Sequence, residues 1–131
     1  MRPLRRALRG DDGSAAVDFA LVGALVTVLF VAVVQLALVL HVRNTLVDCA
    51  AEGARYAALD GHEAADGVAR TRSLVEQSLA PSYAQDVRAV RTTLGGVDVI
   101  EVTVRAPLPV VGLIGPRDAL TVRGHAFAED Q

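Results

Sequence analysis

Residues 13–40, GSAAVDFALVGALVTVLFVAVVQLALVL, decide the reading of this chain. From Phe19 to Leu40 they hold 22 residues without a charge. As an α-helix that run measures about 33 Å, against a bilayer hydrocarbon core of about 30 Å. It is long enough to span a membrane, and no second apolar run of comparable length follows. Asp18 stands at the mouth of the span, five residues beyond Gly13. An acid at such a place is costly, which marks it as a functional candidate.

Charge orients the span. Arg2, Arg5, Arg6 and Arg9 precede it, opposed before the span by Asp11, Asp12 and Asp18. The positive-inside rule then keeps the N-terminus in the cytoplasm and exports residues 41–131. The exported part carries nine arginines against twelve acids. A mildly acidic domain without a basic stripe argues against nucleic acid as a partner. The run is too long for a secretory signal, whose apolar region covers about 7–15 residues before a small-x-small site. Leu46-Val47-Asp48-Cys49 is a poor lipoprotein box, with aspartate where a small residue belongs.

The 91 residues after the span have room for one modest core. Cys49 is the only cysteine, so no intramolecular disulfide is available, and it reads as a small buried helix residue. One continuous helix is expected from about Ser14 to Leu59. Beyond the span, Leu46, Cys49, Gly53 and Ala57, with Val42, Ala50 and Ala54, form a stripe of small residues at helical spacing. The stripe suits either the chain's own sheet or a neighbouring subunit. Glu52 and Arg55 stand three apart and can pair weakly. Asp60-Gly61 ends the helix, glycine fitting the left-handed position after a last turn.

A second helix is predicted from about Ala64 to Leu79, packing through Val68, Leu74, Val75 and Leu79 and closed by Pro81. The period then changes to two. Val87–Leu94 and Val97–Ala106 flank Gly95-Gly96, a hairpin signal. Ile100, Val102, Val104 and Ala106 mark a buried face. A strict two-residue loop sets Arg91 opposite Ile100, an awkward partner, so a bulge or longer loop is an alternative. Leu120–Ala128 reads as a third strand. Pro107–Pro116 is apolar but full of breakers, suited to folding over the sheet edge or meeting a partner. Helices followed by strands give an α+β class with a three-stranded antiparallel sheet.

Chemistry is scarce. His41, His62 and His125 have no metal-ligand spacing with one another or with Cys49. Ser73 and Ser78 lack a glycine elbow, and no glycine-rich loop joins a strand to a helix to hold phosphate. The chain reads as a non-enzyme, with no cofactor, metal or small-molecule substrate.

Gly13-Ser14-Ala15-Ala16-Val17-Asp18-Phe19, after arginines and before an apolar helix, resembles a type IV prepilin leader. Together with the small-residue segment Ala50–Arg55 and a compact α+β end, it resembles the TadE-like family. These are pilin-like proteins of the tight-adherence (Tad, or Flp) pilus system. The resemblance implies residues 1–13 as a leader, 14–40 as the membrane helix and 41–131 as the exported domain. It also implies cleavage between Gly13 and Ser14 by a prepilin peptidase, and a role in assembly for Asp18 and Phe19. The implied partners are the membrane, other pilin or pseudopilin subunits and the assembly machinery. The family usually places glutamate where Asp18 stands, so the charge is kept with a shorter reach. The length after cleavage fits a minor subunit better than a much shorter major pilin. A competing reading from another class is an unprocessed single-pass anchor bearing a binding module or adhesin.

Overall fold

The structure is a computed structural model that describes residues 8–109 and 119–128. Along the chain run α1 (Leu8–Ala58), α2 (Ala64–Ser78), a 3-10 turn (Pro81–Ala84), β1 (Asp86–Leu94), β2 (Val97–Pro107) and β3 (Ala119–Phe127). The architecture is the expected α+β one: a long apolar N-terminal helix, a second helix and an antiparallel sheet of order β1-β2-β3. Two units divide between Leu36 and Ala37.

In the first unit α1 begins earlier than the expected Ser14. No proline or cap interrupts Leu8–Gly13, and Asp11 lies in the first turn, where the helix macrodipole favours an acid. The apolar stretch is unburied throughout. Phe19 is 82% exposed and Phe30 68%. A surface that a soluble fold would bury is thus left bare, and the helix is long and apolar enough to cross a membrane.

The second unit is held by its own core. Val42, Leu46, Cys49, Ala50, Ala54 and Ala57 from α1 are buried with Val75, Val87, Ile100, Val102, Val104, Ala106 and Val122. The small-residue stripe therefore packs inside its own chain rather than waiting for a subunit. Small side chains are needed there because backbones meet. A Cβ built on Gly124 of β3 would lie 2.4 Å from the Ala51 nitrogen and 2.5 Å from the Ala50 carbonyl carbon. On the other side of α1, a Cβ on Gly53 would lie 2.8 Å from the Gly67 carbonyl oxygen and overlap Thr71 Oγ1. Gly53 and Gly67 let α1 and α2 cross at backbone distance, while Thr71 fills the remaining space with no exposed surface.

Helix α2 ends at Ser78, within a residue of expectation, and buries Gly67, Thr71 and Val75. Val68, Leu74 and Leu79 are only partly buried around that centre. The Asp66 carboxylate accepts the Glu63 backbone N–H at 2.7 Å and fixes the helix start. Arg72 Nε donates to the Ala84 carbonyl at 3.1 Å, tying α2 to the turn after it.

The hairpin settles the register. Gly95 and Gly96 have φ of +60° and +85°, as a two-residue turn of primed type requires. No bulge intervenes, and Arg91 does pair with Ile100. This is tolerated because β1 is an edge strand and Arg91 is exposed, its long stem carrying the charge to solvent. Ile100, Val102, Val104 and Ala106 are all buried, matching the alternation in the sequence. Val99 is buried as well, although it belongs to the opposite face between Thr92 and Phe127. Most of Pro107–Pro116, the breaker-rich apolar segment, lies outside the described residues.

Candidate functional site

The candidate site is the N-terminal part of α1, and it is built from local sequence alone. Gly13, Ser14, Asp18 and Phe19 are all helical and all exposed. Ser14 and Asp18 are four apart, so they share one face about a single turn from each other. Phe19 points about 100° away from Asp18 on the helix circumference and begins the apolar surface. A Cβ built on Gly13 meets nothing within 4 Å, so no packing demand within the chain explains a glycine there. With no side chain at this exposed position, the backbone between Gly13 and Ser14 is open to close approach.

Polar groups inside the span are two. Thr27 Oγ1 donates to the Gly23 carbonyl at 2.8 Å, a local bond that satisfies the hydroxyl within its own helix. Gln35 has no such solution. Its Oε1 is shielded and has no hydrogen-bond partner among the described residues. The sequence reading passed over Gln35, though a lone amide among 22 uncharged residues was the signal that could have drawn attention to it.

Elsewhere the polar groups are structural or solvated. Arg55 lies 3.7 Å from Glu52, the expected pair, and both are well exposed, so the pair adds little. His125 Nε2 lies 2.8 Å from Glu101 Oε2 across the register of β2 and β3. Burial pushes the Cys49 thiol above its ordinary pKa, opposed by a hydrogen bond with Ser78 and reinforced by the charge of Asp48. A thiol of that kind stays protonated and inert near neutral pH, in keeping with packing. Among the described residues no three of His, Cys, Asp and Glu gather as a metal site needs. Val90, Leu94, Val97 and Phe127 are exposed on the outward face of the sheet near the hairpin end.

Comparison with known proteins bears on the same N-terminal region. No curated protein and no solved structure matches the chain. A family model does, and it covers residues 13–55, from Gly13 through the uncharged run to the small-residue segment that ends at Arg55. Over that stretch, with Gly13, Ser14, Asp18 and Phe19 at its head, the chain matches the family described as TadE-like protein.

Proposed function

We propose that this chain is a pilin-like minor subunit or assembly factor of a Tad/Flp-type pilus, cut by a prepilin peptidase and inserted by its N-terminal helix. The observation that carries the reading is the family match beginning at Gly13, joined to a bare apolar helix behind Asp18. A pilin must leave the bilayer for a helical fibre, so its apolar surface has to suit neighbouring helices as well as lipid. Ala20, Gly23, Ala24 and Ala32 keep that surface shallow enough for close approach. An open assembly of this sort uses heterologous contacts that do not close.

Cleavage is the direct test. Mass spectrometry of the protein isolated from cells with an active prepilin peptidase should find Ser14 as the first residue. Finding the arginine-rich N-terminus intact there would favour the unprocessed anchor, for which the exposed apolar end of the sheet is the natural binding surface.

Topology is a separate expectation. Four arginines before the span hold the leader cytoplasmic, so the α+β unit is exported. Cysteines placed singly at Ser82 or Gly95, both exposed, should react with a membrane-impermeant maleimide on intact cells whose outer barrier is permeabilised. Reaction only after lysis of the cytoplasmic membrane would reverse the orientation.

A further inference from the structure

Helix α2 is seated on α1 by backbone rather than by large side chains. A Cβ on Gly67 would lie 2.9 Å from the Gly53 carbonyl oxygen and 2.7 Å from Ala57 Cβ, and a Cβ on Gly53 would lie 2.8 Å from the Gly67 carbonyl oxygen. The helices therefore touch glycine to glycine, each turning a Cα hydrogen toward the other's carbonyl. Such a crossing is close, but it removes little apolar surface from water. Val75 is the one large apolar side chain of α2 that is fully buried, while Val68 and Leu74 are half-buried. The heavier part of the core lies elsewhere, in Leu46 of α1 with Ile100, Val102, Val104 and Val122 of the sheet.

Thr71 weakens the seat further. Its side chain has no exposed surface, and its Oγ1 has no hydrogen-bond partner among the described residues. A buried hydroxyl left unpaired opposes the closed state, because it regains water as soon as α2 lifts. Polar ties do not offset this. Arg70 stands 4.0 Å from Glu52 of α1, with both side chains nearly half exposed, so the pair adds little. Arg72 Nε bonds the Ala84 carbonyl of the turn that follows, which does not hold α2 to α1. Both ends of α2 can hinge. Gly61, with φ of +75°, precedes it, and Leu79 and Ala80 leave helical geometry before Pro81. We infer that α2 is a clasp that opens on its own: it lifts from α1 and β1 while α1 and the three strands stay folded. Each opening bares the face of α1 that carries Gly53, Ala54 and Ala57. Contiguous pieces of a fold open in this way below the global stability. The clasp goes beyond the pilus reading and does not depend on it.

Hydrogen exchange of the full chain in detergent, read by mass spectrometry on fragments from α2 and β2, tests this. The central amides of α2 should exchange at least about tenfold faster than those of Val99–Val104. Low urea should leave the α2 rate unchanged, since a small opening exposes little surface, and should quicken β2 steeply. Gly67→Ala crowds the crossing and should speed all the central α2 amides together by about tenfold. Gly124→Ala loosens α1 against β3, a contact that persists while the clasp is open. It should quicken the β2 amides and leave those of α2 at the parent rate. Equal rates for α2 and β2, a shared steep urea dependence, or α2 amides that quicken with β2 in Gly124→Ala would each overturn the clasp. So would α2 exchange unaltered by Gly67→Ala. The parent chain alone supplies the first two readings, so the test stands even where a variant fails to fold.

Discussion

Gly124→Ala should unfold the α+β unit at markedly lower urea than the parent chain. The new methyl group would lie 2.4–2.7 Å from three backbone atoms of Ala50 and Ala51. Backbone cannot rotate aside, so β3 or α1 must move by about 1 Å to restore normal contact, and overpacking of this kind costs about 1–3 kcal/mol. The upper end applies here, because every close atom is main chain. Domains hold only about 5–15 kcal/mol in all, and a unit of this size without a disulfide sits low in that range. With a urea slope of about 1–3 kcal/mol per molar, the midpoint should fall by on the order of 1–2 M. Cys49 supplies the readout in membranes, since the residue is 7% exposed and should react with maleimide only when the unit opens. Thr121→Ala, on the exposed side of the same strand, is the control and should leave the midpoint in place. A midpoint shared by Gly124→Ala and the parent would mean that α1 and β3 are not in backbone contact.

That contact also shows where the sequence stopped being readable. Patterns that live within one segment were visible: the uncharged span, the alternation of Ile100, Val102, Val104 and Ala106, and the Gly95-Gly96 turn. Each arises from a period or a local φ requirement, so a short window contains all the information. The close crossings were not visible, because they join Gly53 to Gly67 and Gly124 to Ala51 across gaps in the sequence. Gly124 did carry a faint signal, since a lone glycine inside a strand often marks a near backbone. The small-residue stripe of α1 left two destinations open, and only the packing of α2 and β3 onto it chose between them. Arg91 misled in the opposite direction. Its pairing with Ile100 looked unfavourable, yet an edge position and a long side chain make it cheap. At the N-terminus everything that defines the candidate site was in the sequence, because the site is a linear pattern on one helix. Gln35 was equally plain to see, but that none of the described residues bonds its shielded Oε1 is visible only in the fold.

Asp18→Ala should abolish pilus formation while leaving the protein made, inserted and largely cleaved. In the uncut chain Asp18 is well inside α1, more than two turns from Leu8, where the helix macrodipole gives an acid little support. The proposed cleavage after Gly13 would change its setting. Asp18 would then be the fifth residue, about one turn from a new amino group on Ser14, in the first turns of a fresh helix. A carboxylate drawn to the bilayer centre costs about 2.5–3.5 kcal/mol, and much less near the interface. In the proposed role, pairing with the terminal amine of a neighbouring subunit would offset that cost as the helix left lipid for a fibre, and would fix the axial position at which the neighbour stops. A carboxylate that only supported the helix start would contribute about 1 kcal/mol, too little to decide assembly. The two roles therefore predict different outcomes. Asp18 is not among the residues that build the core of the second unit, so Cys49 should stay protected in the variant and show that the fold of that unit is intact. Asp18→Glu, which keeps the charge with one more methylene, should restore piliation. Normal pili from Asp18→Ala in cells lacking the native copy would remove the register role and leave this acid as a helix-end charge.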